Sequence, residues 1–281
     1  MISSRFGRLM TFFLGESRDW FLCFYPGNTG CISKVIIRRL VNKINFDEHN
    51  IEKIKNIDDD AIVVFASKNK RVLDFLYYHT KLKNLGLRYP QIAFDFKFFL
   101  LLPVKRLFQI LVCQIDHFCQ YLSFKDAYSS GFAVNQLMDG KGGFVSLIEE
   151  DDFHKRFVKS KPDPLSLLID LQKSTDKPVV FIPENIIYFI KPVYQDEGPM
   201  EIIFGTHERP GRIRRYMTIL RHPTKIKVEI AQPVNLKEFL NRPEIEQLDA
   251  EFQTHRLRSH LVHILNRQLR SVTGPVLKTR Q

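Results

Sequence analysis

No stretch of this 281-residue chain is apolar for long enough to read as a membrane span. The nearest is residues 92–115, which Asp95, Lys97, Pro103, Lys105 and Arg106 interrupt. A span needs about 20 predominantly apolar residues, and a centrally placed Lys or Arg costs about 2.5–3.5 kcal/mol on insertion scales. The apolar run at residues 9–14 is too short for a cleavable leader and ends at Gly15-Glu16-Ser17-Arg18-Asp19, so none is expected. Cysteine is scarce: Cys23, Cys31, Cys113 and Cys119 form no CxxC pair. A reducing compartment fits this better than a disulfide framework. Cys113 and Cys119 lie in an apolar stretch and are expected to be buried thiols. The chain also lacks GxSxG, GxGxxG and HExxH, and Asp139-Gly140-Lys141-Gly142-Gly143 is not followed by the GK[ST] of a phosphate-binding loop. His255, His260 and His263 do not share the spacing of a helical metal set. No metal and no cofactor are therefore expected.

What is present in excess is positive charge, with a formal net charge of +11 and a pI near 9.5. Such a balance favours nucleic acid, an anionic membrane surface or phosphorylated ligands. No helix-turn-helix, RNP or zinc-finger pattern supports nucleic acid. Residues 1–50 are basic and rich in aromatics (Phe6, Phe12, Phe13, Trp20, Phe21 and Phe24 among them). A helix is predicted over residues 32–44, with Val35, Ile36, Leu40 and Ile44 on one face and Lys34, Arg38, Arg39 and Lys43 elsewhere. Such a helix either lies on a membrane surface or packs on the domain with its cations solvated.

The rest, residues 51–281, reads as α/β. Ala61-Ile62-Val63-Val64-Phe65 is a compact strand signal, with Ser67 as a candidate N-cap for a helix carrying Val72, Leu73, Leu76 and Tyr77 and ending near Gly86. Pro103 breaks or starts a helix whose stripe is Leu107, Phe108, Leu111, Val112, Ile115, Phe118 and Cys119. That stripe is expected in the core, although its phenylalanines also suit an acyl-chain groove or a membrane-facing patch. Further strands are predicted at residues 144–148, at Val179-Val180-Phe181-Ile182 closed by Pro183, at residues 186–190 and 202–204, and at residues 225–230, where polar and apolar residues alternate. Helices are predicted over residues 165–173, 236–240 and 245–269. The strands at Ile62, Val145, Val180 and Val228 are expected in one mixed sheet flanked by helices. Between the last strands lies the basic loop containing Arg209, Arg212, Arg214 and Arg215, a candidate anion or headgroup site.

The order of short motifs is more specific. It runs from residues 61–76 through Gly142-Gly143-Phe144, Lys177-Pro178-Val179-Val180-Phe181-Ile182-Pro183 and Phe204-Gly205-Thr206-His207-Glu208-Arg209-Pro210-Gly211-Arg212 to Gln232-Pro233-Val234-Asn235-Leu236. A basic helix closing on Ser271-Val272-Thr273-Gly274-Pro275-Val276-Leu277 follows. Over residues 55–281 this resembles bacterial membrane-bound glycerol-3-phosphate acyltransferase, and within it the region that precedes the catalytic domain. The resemblance implies a degenerate acyltransferase-like domain. The family's H-x4-D motif supplies a histidine base and an orienting aspartate for acyl transfer to a hydroxyl. At that spacing this chain has Asn69-Lys70-Arg71-Val72-Leu73-Asp74, and Asn accepts no proton at neutral pH. Gly143-Phe144-Val145-Ser146-Leu147 and Phe181-Ile182-Pro183-Glu184-Asn185 echo two further family blocks without their arginines. No catalytic residue is thus expected, Asn69 and Asp74 being degenerate positions.

The function so implied is phospholipid biosynthesis at the cytoplasmic face of the inner membrane, as a non-catalytic scaffold and membrane-apposition module. Its partners would be an anionic membrane surface and a catalytic acyltransferase domain, in the same or a separate chain, which takes acyl carrier protein or acyl-CoA as donor. Two alternatives stand beside it: a free-standing acyltransferase-like enzyme with an unrecognised base, His79 or His154, and a basic nucleic-acid-binding module.

Overall fold

The computed structural model describes residues 20–25, 44–99, 101–148, 162–188 and 226–273. Its strands are β1 (Ile62–Asn69), β2 (Pro90–Ala93), β3 (Gly142–Ile148), β4 (Val179–Tyr188), β5 (Ile226–Ile230) and β6 (Val234–Asn235). The helices are α1 (Glu48–Lys55), α2 (Val72–Asn84), α3 (Val104–Tyr121), α4 (Phe132–Met138), α5 (Pro164–Ser174), α6 (Leu236–Leu240), α7 (Pro243–Glu246) and α8 (Ala250–Thr273). The strands form one mixed α/β sheet in the order β2-β3-β1-β4-β5, with β6 also pairing β4. β2, β3, β1 and β4 run parallel, while β5 and β6 run antiparallel to β4.

The unbroken apolar runs have a simple cause: both faces of the sheet are covered. Val63 and Phe65 of β1 and Ile182 and Ile186 of β4 meet Phe75, Tyr78 and Leu82 of α2. Ile62, Val64 and Ala66, with Val145, Val179 and Phe181, meet α4, α5, α6 and α8 on the opposite face. A strand buried on both sides loses the polar alternation that an exposed face would impose. β5 lies at the edge and keeps it: Ile226, Val228 and Ile230 are buried, while Lys227 and Glu229 pair at 2.6 Å on the wetter face. α1 closes on β5 through Asn50, whose amide donates to Val228 O at 2.9 Å and accepts from Ile230 N at 3.1 Å.

Local chemistry sets the element ends. Asp163 caps α5 by accepting from Leu165 N, with Pro164 in the first turn, and Asn235 caps α6 by accepting from Lys237 N. Pro103 precedes α3 as expected. Four expectations need correction. Ser67 is not an N-cap: β1 continues to Asn69, the Ser67 hydroxyl donates to Asn69 O at 3.0 Å, and Arg71 occupies the cap position. Pro183 does not close its strand: β4 runs through it to Tyr188, because the outer edge of β4 passes from β6 to β5 at this point and only the Pro183 carbonyl is used there, by Ala231 N at 2.9 Å. The helix predicted over residues 245–269 is divided into α7 and α8.

The fourth correction concerns α3. Its stripe is not core: Phe108, Leu111, Ile115 and Phe118 are exposed, as is Cys119, while Gln109, Ile110 and Cys113 are the buried positions. The helix turns its more polar side inward, where Gln114 exchanges two bonds with the Lys125 backbone, each at 3.0 Å. On the same side the Arg106 guanidinium lies 3.8 Å from the centre of the Trp20 ring. The strand and helix predictions at residues 32–44 and 202–204 lie outside the described residues, apart from Ile44.

Candidate functional site

In an open parallel sheet the usual place for chemistry is the edge formed by the carboxyl ends of the strands. Here β1 leaves that edge at Asn69 and α2 begins three residues later. Asn69 is exposed at the end of the strand, whereas Asp74, in the first turn of α2, is 3% exposed. Arg71 reaches back to Asp74, with Nη1 3.8 Å from Oδ2. Asn69 and Asp74 thus flank the turn from β1 into α2.

Register brings in a second carboxyl. Glu184 of β4 lies opposite Ser67 of β1 on one side and Ile230 of β5 on the other. Alternation places it on the α2 face with Ile182 and Ile186. It is 1% exposed and lies against the buried Tyr78 hydroxyl, each group shifting the other's protonation, while the Tyr77 hydroxyl has no hydrogen-bond partner among the described residues. Burial first, then the neighbouring Asp74 carboxylate, hold the Glu184 carboxyl well above the usual range; Tyr78 and Arg71 act the other way. Burial and the nearness of Glu184 likewise raise the Tyr78 phenol. The sheet therefore keeps a buried acid whose surroundings favour its neutral form beside an ion-paired one, with Tyr78 one helical turn below Asp74.

A third feature completes this edge. Asp95, just past β2, is a non-glycine residue in the left-handed region, at φ 64°. Its amide donates to the Tyr128 hydroxyl at 3.0 Å, that hydroxyl donates to Asp95 Oδ1 at 3.1 Å, and the Lys70 ammonium donates to the Asp95 carbonyl. Strain held this firmly is a common property of functional edges. Sequence reasoning gave no role to Asp95, Tyr78 or Tyr128. Tertiary pairing sets Tyr78 beside Glu184 and joins Asp95 to Tyr128.

The remaining positions of the motif echoes are structural. Phe144 is fully buried, edge-on to Phe75 and Phe96. Asn185 ties β4 to α8, donating to Leu265 O at 3.1 Å. His79 faces away from the edge: it is 1% exposed, its Nδ1 lies 2.7 Å from Pro90 O, and Tyr25, Phe75 and Tyr89 enclose its ring. It is not placed to meet a substrate hydroxyl. Arg209, Arg212, Arg214, Arg215 and His154 lie outside the described residues. Among the described residues no group of His, Cys, Asp and Glu is arranged to hold a metal ion.

The chain is similar to an acyltransferase. It is 25% identical over 152 residues to the glycerol-3-phosphate acyltransferase of Pseudomonas fluorescens (strain SBW25), a match covering 53% of this chain and 17% of that protein. The chain thus spans about a sixth of the length of this curated relative, 17% by the match. No family model matches the chain, and no solved structure does.

Proposed function

We propose that the chain is an acyltransferase-like domain from the region of a glycerol-3-phosphate acyltransferase that precedes its catalytic domain, serving phospholipid synthesis as a scaffold beside that domain. The observation that carries this is the Asn69 position. Acyl transfer from a thioester requires the attacking hydroxyl to lose its proton to a base in hydrogen-bond reach as the thiolate departs. At the strand-to-helix turn where that base belongs, this chain has an exposed amide, next to an aspartate already paired with Arg71. An amide can position a hydroxyl but takes no proton from it, and a missing general base costs on the order of 10²–10⁴-fold in rate.

The basic segment in residues 1–45 and the loop with Arg209, Arg212, Arg214 and Arg215 suit peripheral contact with an anionic membrane surface at the cytoplasmic face. Each basic residue near such a surface contributes about 1 kcal/mol and fades over a Debye length. No helix among the described residues is long and apolar enough to cross a membrane. The acyl donor, whether acyl carrier protein or acyl-CoA, belongs to the catalytic domain.

The direct test is an acyl-transfer assay of the purified chain with glycerol 3-phosphate and an acyl thioester. No turnover above background is expected, and turnover should appear only when a domain carrying H-x4-D is supplied. Robust turnover abolished by Asn69→Ala would overturn the reading. Turnover that survives that change but is lost in His154→Ala would make the chain an enzyme with its own base.

A further inference from the structure

α3 is built inside out. Val104, Phe108, Leu111, Ile115, Phe118 and Leu122 recur at helical spacing, so they form a single stripe, and every one of them is between 42% and 82% exposed. The opposite side of the helix faces the protein and carries Arg106, Gln109, Cys113, Asp116 and His117, none of them exposed. Ordinary surface helices do the reverse, since burying the apolar side is what holds them to the domain. Here the polar side has its own anchors: Arg106 against Trp20, Gln114 on the Lys125 backbone, and His117 Nδ1 at 2.7 Å from Ser123 O. The fold thus holds the helix through these polar contacts together with the inward Leu107, Ile110 and Cys113, and presents a six-residue apolar ridge along an 18-residue helix about 27 Å long at the helical rise. Phe99 and Phe124, 59% and 74% exposed, extend it at either end. So large an exposed apolar surface marks an interaction site rather than ordinary scatter.

We infer that this α3 face is an interfacial docking surface that lies in the plane of an anionic lipid surface. Charge selects that occupant. Lys97 and Lys105 are exposed beside the N-terminal end of the ridge. The acid of the helix itself, Asp116, is on the inward side and half-buried. A second copy of the chain would set these cations against their own kind on molecules carrying +11 each. Anionic headgroups pair with the cations while the acyl region receives the ridge. Aromatic residues along the ridge suit the boundary between headgroup and acyl chain. The apolar ridge supplies the part of the binding that salt does not screen, which the arginine loop cannot supply.

The inference deepens the membrane-contact part of the proposed function and rests on it; its test separates the two. The full chain is sedimented with phosphatidylcholine vesicles containing phosphatidylglycerol, at low and high salt, as parent, as Leu111→Glu/Ile115→Glu, and as Phe252→Glu, an exposed apolar site on α8. Both altered positions of the double variant are exposed, so circular dichroism and Tm should match the parent. The double variant is expected to bind vesicles about tenfold or more weakly at high salt, and Phe252→Glu to bind like the parent. A separate Phe118→Trp variant should shift its emission to the blue on vesicles and be quenched by brominated acyl chains. If the parent binds and the double variant binds equally, α3 is not the docking face, although the membrane reading stands. If the parent binds no vesicles under any condition, both fall. If the double variant leaves vesicle binding unchanged but turns a dimer into a monomer, a second copy covers the ridge and the inference is overturned.

Discussion

Replacing His79 by Asn isolates one titrating group whose surroundings the fold defines closely. The imidazole is 1% exposed and its Nδ1 lies 2.7 Å from Pro90 O. A carbonyl only accepts, so Nδ1 carries the proton of the neutral ring and Nε2 would have to take up any second one. Burial pushes His79 down to about 4; the bond to Pro90 raises it somewhat, and Lys83 lowers it further. The unfolded chain, with an ordinary value near 6.5, takes up that proton first as the pH falls. Stability from this group is therefore complete above about pH 6.5 and is lost as the pH falls towards about 4. From those two values the loss is about 1.4 kcal/mol at pH 5.5 and about 2.5 kcal/mol at pH 4.5. Asn keeps a donor in the place of Nδ1 but does not titrate.

The loss of ring packing against Tyr25, Phe75 and Tyr89 lowers stability by an amount that does not depend on pH, so the slope is the readout. Urea unfolding followed by circular dichroism between pH 7.5 and 4.5 gives it. Glu184 acts in the opposite sense, so the comparison is made in a Glu184→Gln background. His79→Asn should then flatten the acid side of the profile by about 2.5 kcal/mol at pH 4.5. An acid slope equal to that of the His79 parent would refute the assignment of His79 as a buried neutral histidine.

Glu184→Gln alone should raise stability at neutral pH more than near pH 4. Its carboxyl is held above the unfolded value near 4.3, so its contribution is intact below that value and falls by up to tenfold in folding constant per pH unit on the way up; denaturant midpoints at both ends of the range check this. Gly142→Ala should destabilise by about 1–3 kcal/mol in thermal or urea unfolding, because the added Cβ would sit 2.6 Å from the Tyr89 carbonyl oxygen, a backbone atom that cannot swing aside. Arg258→Met should cost about 2 kcal/mol, since the guanidinium donates to Leu147 O and to Asp163, each at 2.5 Å, joining α8 to the end of β3 and the cap of α5; Asp163→Asn should lose less, which a double-mutant cycle reads.

The sheet was legible wherever burial on two faces wrote a continuous run, as at Val63 and Val180, or where an edge wrote alternation, as at Val228. β2 was not, because its four residues begin with Pro90 and merge into the apolar stretch that follows. Nor was α4, seven residues begun by a left-handed Gly131 inside what reads as loop. The α3 stripe shows a different limit. Periodicity gives a helix an apolar face, but whether that face turns inward depends on what the other face can bind, and here Trp20 and the 123–125 backbone decide it. Part of the candidate site was legible too. The Asn69–Asp74 spacing is local and survives in sequence, whereas the approach of Glu184 to Asp74 and Tyr78 depends on the β1–β4 register, which no spacing encodes.

The acidic pair also bears on what this edge is for. Burying a carboxyl costs stability, and replacing such a group by a neutral one of similar shape is often neutral or favourable. Burial is the largest influence on Glu184, so folding alone gives it little advantage over Gln, which can keep a polar contact with Tyr78. Asp74 differs, because losing it would leave the half-buried Arg71 guanidinium without its counter-charge. The edge thus holds one carboxyl that the fold uses and one that it only tolerates, beside the turn from Asn69 into α2. If this edge has kept any ligand-binding capacity, Glu184→Gln should weaken glycerol 3-phosphate binding while stabilising the fold. If it serves only as scaffold, the same change should stabilise the protein and leave both binding and the activity of an added catalytic domain untouched. Calorimetric titration with glycerol 3-phosphate, run beside the unfolding curves, separates the two, and the scaffold reading predicts the second outcome.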